Sequence, residues 1–314
     1  MKKLCLKKTL AKEWRMSMAN TKEIQKRMKS IQDTMKITNA MYMISSSKLR
    51  NAKQRLEDTE PYFYSLQMAF NRFLRHVPDT ESVFFGYGRE QAEEKKRKGY
   101  LVITADKGLA GAYNHNVIKK AHELFEQSEH NRLFVVGELG RQYFAREGLD
   151  VDTNFQYTVQ NPSLHRARVI VERIMELYMQ NEVDEIDIVY TKMENAFLVE
   201  TEVLKLLPLD KEDFESAVPV DVYQEELKAE PSLESVLDHM VPNYVTGFVY
   251  GALVESYASE QNSRMMAMEA ASKSAKEMLQ LLQVEYNRVR QAAITQEITE
   301  VISGAKAQKC KKKK

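Results

Sequence analysis

The chain is poor in chain breakers where it matters most. No glycine or proline precedes Pro61, and none lies between Gly251 and Gly304. All seven prolines and ten of the eleven glycines fall between those limits, so both ends are free to form long helices. Cysteine is equally scarce. Cys5 and Cys310 stand near the termini, too far from any core to staple it, and no CxxC pair offers a metal or redox site. No apolar run approaches the ~20 residues that a membrane-spanning helix needs. The opening "MKKLCLKKTLAKEWR" has the charge of a signal peptide but no apolar segment behind it, and Met16 and Met18 follow closely. It reads as a disordered leader or an over-extended start.

Net charge is +1, which excludes a global electrostatic case for nucleic acid or membrane binding. The distribution is uneven. Between Asn20 and Leu56 only Glu23 and Asp33 oppose Lys22, Lys26, Arg27, Lys29, Lys36, Lys48, Arg50, Lys53 and Arg55, whereas the stretch from Asp150 to Asp238 is mostly acidic. Such asymmetry points to docking surfaces of defined sign.

What is present at the ends is helical periodicity. Thr21 or Asn20 can cap a helix whose apolar positions are Ile24, Met28, Ile31 and Met35, resuming at Leu49, Ala52 and Leu56. Ile37, Met41 and Ile44 form a shifted stripe between them. The C-terminal run shows Met268, Ala271, Ala275, Met278 and Leu282, continued by Val289 and Ala292. Both patterns are heptad-like and suit an antiparallel coiled coil. A helix over 252–303 would be about 78 Å long, more than a small core can bury, so other chains must enclose the excess. Methionines at 41, 43, 265, 266 and 268 are core filling or an adaptable contact surface.

The middle alternates. "YLVITAD" (Tyr100–Asp106), "RLFVVG" (Arg132–Gly137) and "EIDIVYTKM" (Glu185–Met193) are buried-strand runs, and "NAFLVETEVLKLLPL" (Asn195–Leu209) adds a further strand. Helical patterns over Ala112–Gln127, Arg141–Glu147 and Ser163–Gln180 separate them. A linker with Pro208, Pro219 and Pro231 leads to the second long helix. The fold class is α/β: a Rossmann-like domain with a largely parallel sheet, inserted between two long terminal helices that form an antiparallel coiled coil. The organisation reads as a leader (1–17), an N-terminal coiled-coil helix (18–75), an α/β foot (76–225), a C-terminal coiled-coil helix (226–308) and a basic tail (309–314).

Catalytic chemistry is missing. "ITADKGLAGAYN" (Ile103–Asn114) places Gly108 and Gly111 between a strand and a helix, where a phosphate turn would lie. Its spacing fits neither GxGxxG nor GxxxxGK[ST], and a tight structural turn is the preferred reading. His76, His115, His122, His130, His165 and His239 form no HExxH or HxH pattern, no GxSxG elbow occurs, and Asp184, Glu185 and Asp187 read as a solvated strand edge. No catalytic, cofactor or metal residue is assigned. The basic helix lacks interleaved aromatics apart from Tyr42 and matches no nucleic-acid module. From these patterns alone, a nucleotide-binding α/β enzyme and a coiled-coil adaptor remain as alternatives.

The stretch "ITQEITEVISGAKA" (Ile294–Ala307) resembles the C-terminal signature of the γ subunits of F-type ATP synthases, through Ile294, Thr295, Glu297, Glu300, Gly304 and Ala305. "YNRVRQA", "ASEQNSRMMAMEAA" (Ala258–Ala271), "KEIQKRMKSIQDTMKITNAMYMISSSKLRNA" (Lys22–Ala52) and "ITADKGLAGAYN" are similar to the same family, over roughly residues 18–307. The resemblance implies a central rotor shaft, not catalytic by itself, turning inside a ring of α and β subunits. It also implies a foot that meets the ε subunit and the c-ring, and proton flow coupled to ATP synthesis at β. It implies peripheral attachment at the cytoplasmic face of the cell membrane, no cofactor on this chain and no nucleic-acid partner. Arg290 and Gln291 resemble the pair that grips a loop of one β subunit, with Thr295 one turn further. Met41 and Arg264 correspond to shaft positions that face the acidic lever segment of β. Asn39 stands where family members often carry lysine, and the chloroplast thiol pair is absent, which argues against redox control.

Overall fold

A computed structural model describes residues 2–76, 82–87, 96–126, 131–152, 155–195, 198–210, 230 and 232–311; for 2–20, 75, 76, 233, 234 and 307–311 it describes the backbone path only. In chain order the elements are α1 (Lys2–His76), a 3₁₀ turn (Val83–Phe85), β1 (Lys98–Ile103), α2 (Tyr113–Phe125) and β2 (Asn131–Val136). They continue with α3 (Glu138–Arg146), α4 (Leu164–Met179), β3 (Glu185–Met193), β4 (Val199–Leu207) and α5 (Leu233–Lys311). Residues Ile44–Ala267 form one compact unit, and Met1–Met43 with Met268–Lys314 form another.

The larger unit is built on a four-stranded sheet in the order β2-β1-β3-β4. β1 runs parallel to β2 and β3, and β4 returns antiparallel to β3. β1 is buried over five successive residues because both of its faces are covered, as central parallel strands require. Leu101 and Ile103 point into one apolar layer with Phe134, Ile188, α4 (Ile170, Ile174) and the segments of α1 and α5 in this unit (Phe70, Phe73, Val241, Val245). Tyr100 and Val102 point into the other, against Val117 and Ala121 of α2 and Phe144 of α3. The period-2 alternation of one short strand thus feeds two cores.

Gly137 and Gly140, between β2 and α3, allow the close packing at the carboxyl edge. Gly137 has φ +102°, and a Cβ there would lie 2.2 Å from the Thr104 carbonyl oxygen; one on Gly140 would lie 2.5 Å from Thr104 Oγ1. The Gly140 amide donates to that same hydroxyl at 3.1 Å. Ser163 caps α4, accepting from Arg166 N at 3.3 Å.

Several expectations change here. α1 does not start near Thr21: its backbone is helical from Lys2, including the stretch read as a disordered leader, and it continues through Pro61 to His76. Lysine, leucine and alanine there are good helix formers with no breaker among them. α5 begins at Leu233, inside the helix read over 226–308, and runs through Pro242, Gly247 and Gly251, upstream of the 252–303 stretch that is free of breakers. Tertiary burial overrides the breakers: Val241, Val245 and Val249 are no more than 1% exposed. Side chains serve carbonyls next to the proline, with Thr246 Oγ1 donating to Pro242 O at 2.6 Å and Asn243 Nδ2 to His239 O at 2.9 Å.

The acidic trio is not a solvated edge either. Asp184 is 5% exposed and takes a bidentate grip from Arg97, Nε to Oδ2 at 2.9 Å and Nη2 to Oδ1 at 2.7 Å. Glu185, 7% exposed, pairs with Lys98 at 2.9 Å, and Asp187 is half-buried. The linker prolines Pro219 and Pro231, the boundary read at 225 and 226, and residues 312–314 lie outside the described residues.

In the smaller unit the two helix segments run antiparallel: Gln25 Nε2 donates to Tyr286 Oη at 2.8 Å, and Thr38 Oγ1 lies 2.7 Å from Ser272 Oγ. On α1 the shielded positions between Ile24 and Thr38 are Ile24, Met28, Ile31, Met35 and Thr38, a strict four-three alternation. On α5 the matching lattice is Met268, Ser272, Ala275, Leu279, Leu282, Tyr286, Val289 and Ala293, with Asn287 and Gln296 also half-buried. The expected stripe is therefore displaced by one residue at Ala271, Met278 and Ala292, all exposed. On α1, Ile37 is 61% and Ile44 55% exposed.

Candidate functional site

The carboxyl ends of β1 and β3 form the crevice where doubly wound folds place ligands. Here the crevice is filled from within the chain. Ser256 Oγ accepts from Thr191 N at 3.1 Å, and Ser259 Oγ donates to Thr191 O at 3.2 Å. One turn on, Glu260 and Arg264 (5% and 7% exposed) pair at 2.6 Å. The Arg264 guanidinium then donates to Lys107 O at 2.9 Å and to Gly108 O at 3.0 Å.

That arrangement reverses the polarity of a phosphate cradle. An anion is held by amide donors, but this turn presents carbonyl oxygens, and they face a cation. Asp106, in the same turn, accepts from the Glu138 amide at 3.1 Å, from Thr158 Oγ1 at 2.6 Å and from the Gln160 amide at 3.3 Å. Asn114 Oδ1 accepts from Ala105 N at 2.9 Å. Leu109 and Gly111 adopt left-handed φ values of 64° and 56°, which folds the turn back toward α5. "ITADKGLAGAYN" is thus a tight structural turn secured by Arg264.

Burial shapes the charges in this crevice. It raises the Glu260 carboxyl above its ordinary value, against the opposing pull of Arg264. It also raises the Tyr113 hydroxyl, 2% exposed beneath the turn, with Glu260 adding to the effect. Among the described residues no cluster of His, Cys, Asp and Glu could hold a metal ion, and no helix is long and apolar enough to cross a membrane.

The residues expected to touch partners are divided between the units. In the larger one, Arg264 is engaged inside the protein, as described. In the smaller one, Met41 is half-buried, while Arg290, Gln291 and Thr295 are exposed. The Arg290 guanidinium carbon lies 6.0 Å from the centre of the Tyr286 ring, at the outer limit of a cation–π contact. Gln291 and Thr295 are one helical turn apart, and so are Arg290 and Ile294, so the four share one strip of α5.

Sequence reasoning passed over the apolar continuation of that strip. Ile294 is 46%, Ile298 54%, Val301 72% and Ile302 51% exposed. Their spacing of four, three and one, with Ile298 and Ile302 again four apart, is visible in the sequence, where it reads equally well as a seam position. Glu260 was also missed, because a lone glutamate in a polar helix carries no signal until the turn packs against it.

Comparison with known proteins agrees with this geometry. A family model described as ATP synthase matches residues 20–308. The ATP synthase gamma chain of Ruminiclostridium cellulolyticum is 46% identical over 291 residues, covering 92% of this chain and 98% of that one. The sodium ion specific ATP synthase gamma chain of Acetobacterium woodii is 35% identical over 302 residues, covering 92% and 98%. Among solved structures, the Tetrahymena thermophila mitochondrial ATP synthase central stalk and c-ring gives a match with a TM-score of 0.57 and 26% identity, over 75% of this chain and 99% of the matched one. A chain of the Euglena gracilis mitochondrial ATP synthase, at 19% identity and a TM-score of 0.67, covers 94% and 97% and shares the fold. The length of the family match and the identity to its relatives agree, and the chain belongs to the ATP synthase gamma chain family.

Proposed function

We propose that this chain is the central shaft of an ATP synthase, catalysing nothing itself and coupling rotation to ATP synthesis on neighbouring subunits. The observation that carries the reading is the exposed strip of α5. Ile294, Ile298, Val301 and Ile302 lie in line with Arg290, Gln291 and Thr295, and no described part of the chain covers them. Contiguous apolar exposure of this kind marks a surface that meets other proteins. A ring of α and β subunits enclosing this strip would meet apolar contacts toward the tip and polar, cationic ones a turn or two below.

The mechanism follows from asymmetry. A single helix pair inside a ring presents a different face to each surrounding subunit, and each face favours one conformation of the subunit it meets. Rotation driven by proton flow through the c-ring changes which subunit meets which face. Arg290, Gln291 and Thr295 are the contacts on β, with Met41 on the partner helix segment. Arg264 acts as a positioning residue, since its cation is taken up by the Lys107–Gly108 turn and Glu260. The α/β unit meets ε and the c-ring, which keeps the chain peripheral at the cytoplasmic face of the membrane.

The test is assembly. Co-expressed with α and β subunits, the chain is expected to co-purify with them and to give an ATPase that pumps protons in vesicles, while the isolated chain hydrolyses no ATP. ATP hydrolysis by the isolated chain, or failure to co-purify, refutes the reading.

A further inference from the structure

Within the larger unit, α1 and α5 border a cleft of about 320 Å³ that opens to the surface. Its walls are aromatic, with Phe63 and Tyr64 on one helix, Tyr244 and Phe248 on the other, and Tyr190 of β3 at the end. Two glycines of α5, one turn apart, lie on its floor. Gly247 has an internal cause: a Cβ there would lie 2.4 Å from Phe63 Cδ1. Gly251 has none, since a Cβ there meets nothing within 4 Å. A glycine inside a helix is destabilising relative to alanine. Among the described residues no packing offsets that cost at Gly251.

Charge gives the second clue. Glu255, one turn beyond Gly251, lines the cleft half-buried and makes no hydrogen bond or ion pair among the described residues. The nearby cation, Lys192, is shared between Glu194 at 3.2 Å and Glu202 at 3.6 Å. Tyr190 Oη donates to Glu202 at 2.8 Å. Glu60 adds another carboxylate at the margin. Burial raises the Glu255 carboxyl above its ordinary value; Lys192 opposes this, and Glu202 and Glu194 add to it. The cleft thus combines aromatic faces, an open floor and a carboxylate whose nearest cation is paired with two other carboxylates, the composition that receives an organic cation with an apolar stem.

We propose that this cleft receives a lysine or arginine side chain from another polypeptide of the assembly, its stem laid over Gly251 between the aromatic walls and its charge set against Glu255. A polypeptide fits better than a free small cation because the apolar surface continues past the cleft. Tyr62 (58%), Tyr64 (63%) and Phe248 (41%) are exposed at the rim, where the residues flanking a side-chain anchor would lie. The proposal rests on the chain's place in a multi-subunit complex but not on the coupling role of Arg290, Gln291 or Thr295.

Photo-crosslinking in the assembled complex tests it. With p-benzoylphenylalanine in place of Phe248, irradiation is expected to capture one partner peptide that carries Lys or Arg close to the crosslinked residue. Glu255→Lys and Gly251→Leu are each expected to lower the yield about fivefold or more, and Glu255→Gln less, as loss of one charge pair and one cation–π contact predicts. Gly251→Leu in the full chain is expected to melt no lower than wild type; a clearly lower melting temperature shows the floor to be filled from within and overturns the proposal. Crosslinks confined to this chain, a captured peptide without a basic residue, or a yield unchanged by Glu255→Lys also overturn it. Loss of α and β from the wild-type preparation refutes the shaft reading instead, so the two failures are distinguishable.

Discussion

Arg264→Ala separates a structural role for this arginine from a contact role. The guanidinium holds the carbonyls of Lys107 and Gly108 at 2.9 and 3.0 Å and Glu260 at 2.6 Å, in a site where both side chains are under a tenth exposed. Removing it leaves a buried carboxylate without its hydrogen-bonded ion-pair partner, a change that typically costs about 3–5 kcal/mol. The cost must depend on pH. Without Arg264, burial, aided by Asp106 and opposed only by Lys48, holds the folded-state pKa of Glu260 above its ordinary value in the unfolded chain. The folded variant therefore binds a proton that the unfolded chain gives up. Its deficit is smallest below the ordinary carboxylate pKa and grows as pH rises through the folded pKa. Urea unfolding of the isolated chain at pH 5 and pH 8 is the assay. The expected deficit at pH 8 exceeds that at pH 5 by about 1 kcal/mol or more, and adding Glu260→Gln recovers part of it. A loss under about 1 kcal/mol, or equal losses at the two pH values, refutes the reasoning. Arg264 would then act on a partner rather than on the turn.

Arg290→Ala with Gln291→Ala removes exposed side chains, so the isolated chain should melt within a few degrees of wild type while ATP-driven proton pumping in the assembled enzyme falls; a large drop in melting temperature with pumping preserved contradicts this. Leu279→Ala and Leu282→Ala each remove a shielded seam residue and should destabilise the helix pair by about 1–2 kcal/mol, whereas Met278→Ala, 52% exposed in wild type, should change stability by less than about 0.5 kcal/mol in thermal melts. Asp187 has its carboxyl pushed up to about 6, chiefly by burial and then by Glu185. Its charge is therefore a cost above that pH, which fades as pH falls toward 4. Asp187→Asn should stabilise the protein by roughly 1–3 kcal/mol at pH 8 and by much less at pH 4, read from urea midpoints. Gly137→Ala should cost more than about 4 kcal/mol and show as loss of folded material on expression, because both φ and the Thr104 carbonyl oppose a side chain there.

The sheet was legible because its strands are short apolar runs bounded by turn residues, and the limits of Glu185–Met193 match the observed β3. The helix ends were less legible. Pro242 and Gly247 are breakers by local propensity, yet the valines around them are buried deeply enough to hold the helix through both. The coil was legible as a coil but not in register. α5 is apolar on more than one face, with Leu281 72% and Val284 69% exposed beside shielded Leu282, so hydrophobicity cannot tell the seam from the outward face. The polar residues that do belong to the seam, Thr38 and Ser272, were invisible to an apolar template. At the crevice, the glycine spacing rightly argued against a phosphate turn. The positive reason, an arginine from a helix far along the chain, required the fold.

Those two hydroxyls have a consequence for a part that transmits torque. Thr38 and Ser272 meet at 2.7 Å, and Ser272 Oγ also donates to Asn39 Oδ1 at 2.9 Å. An apolar seam can slide by one heptad and recover nearly equivalent contacts. A seam with such a polar pair resists this, because a shift of one heptad in either direction breaks the pair and sets Thr38 against Met265 or Leu279. The pair works like the key in a keyed shaft: it adds little grip, but it prevents one helix from creeping past the other under load. Elastic energy from rotation must then be stored as twist of the two helices together rather than dissipated as slip between them.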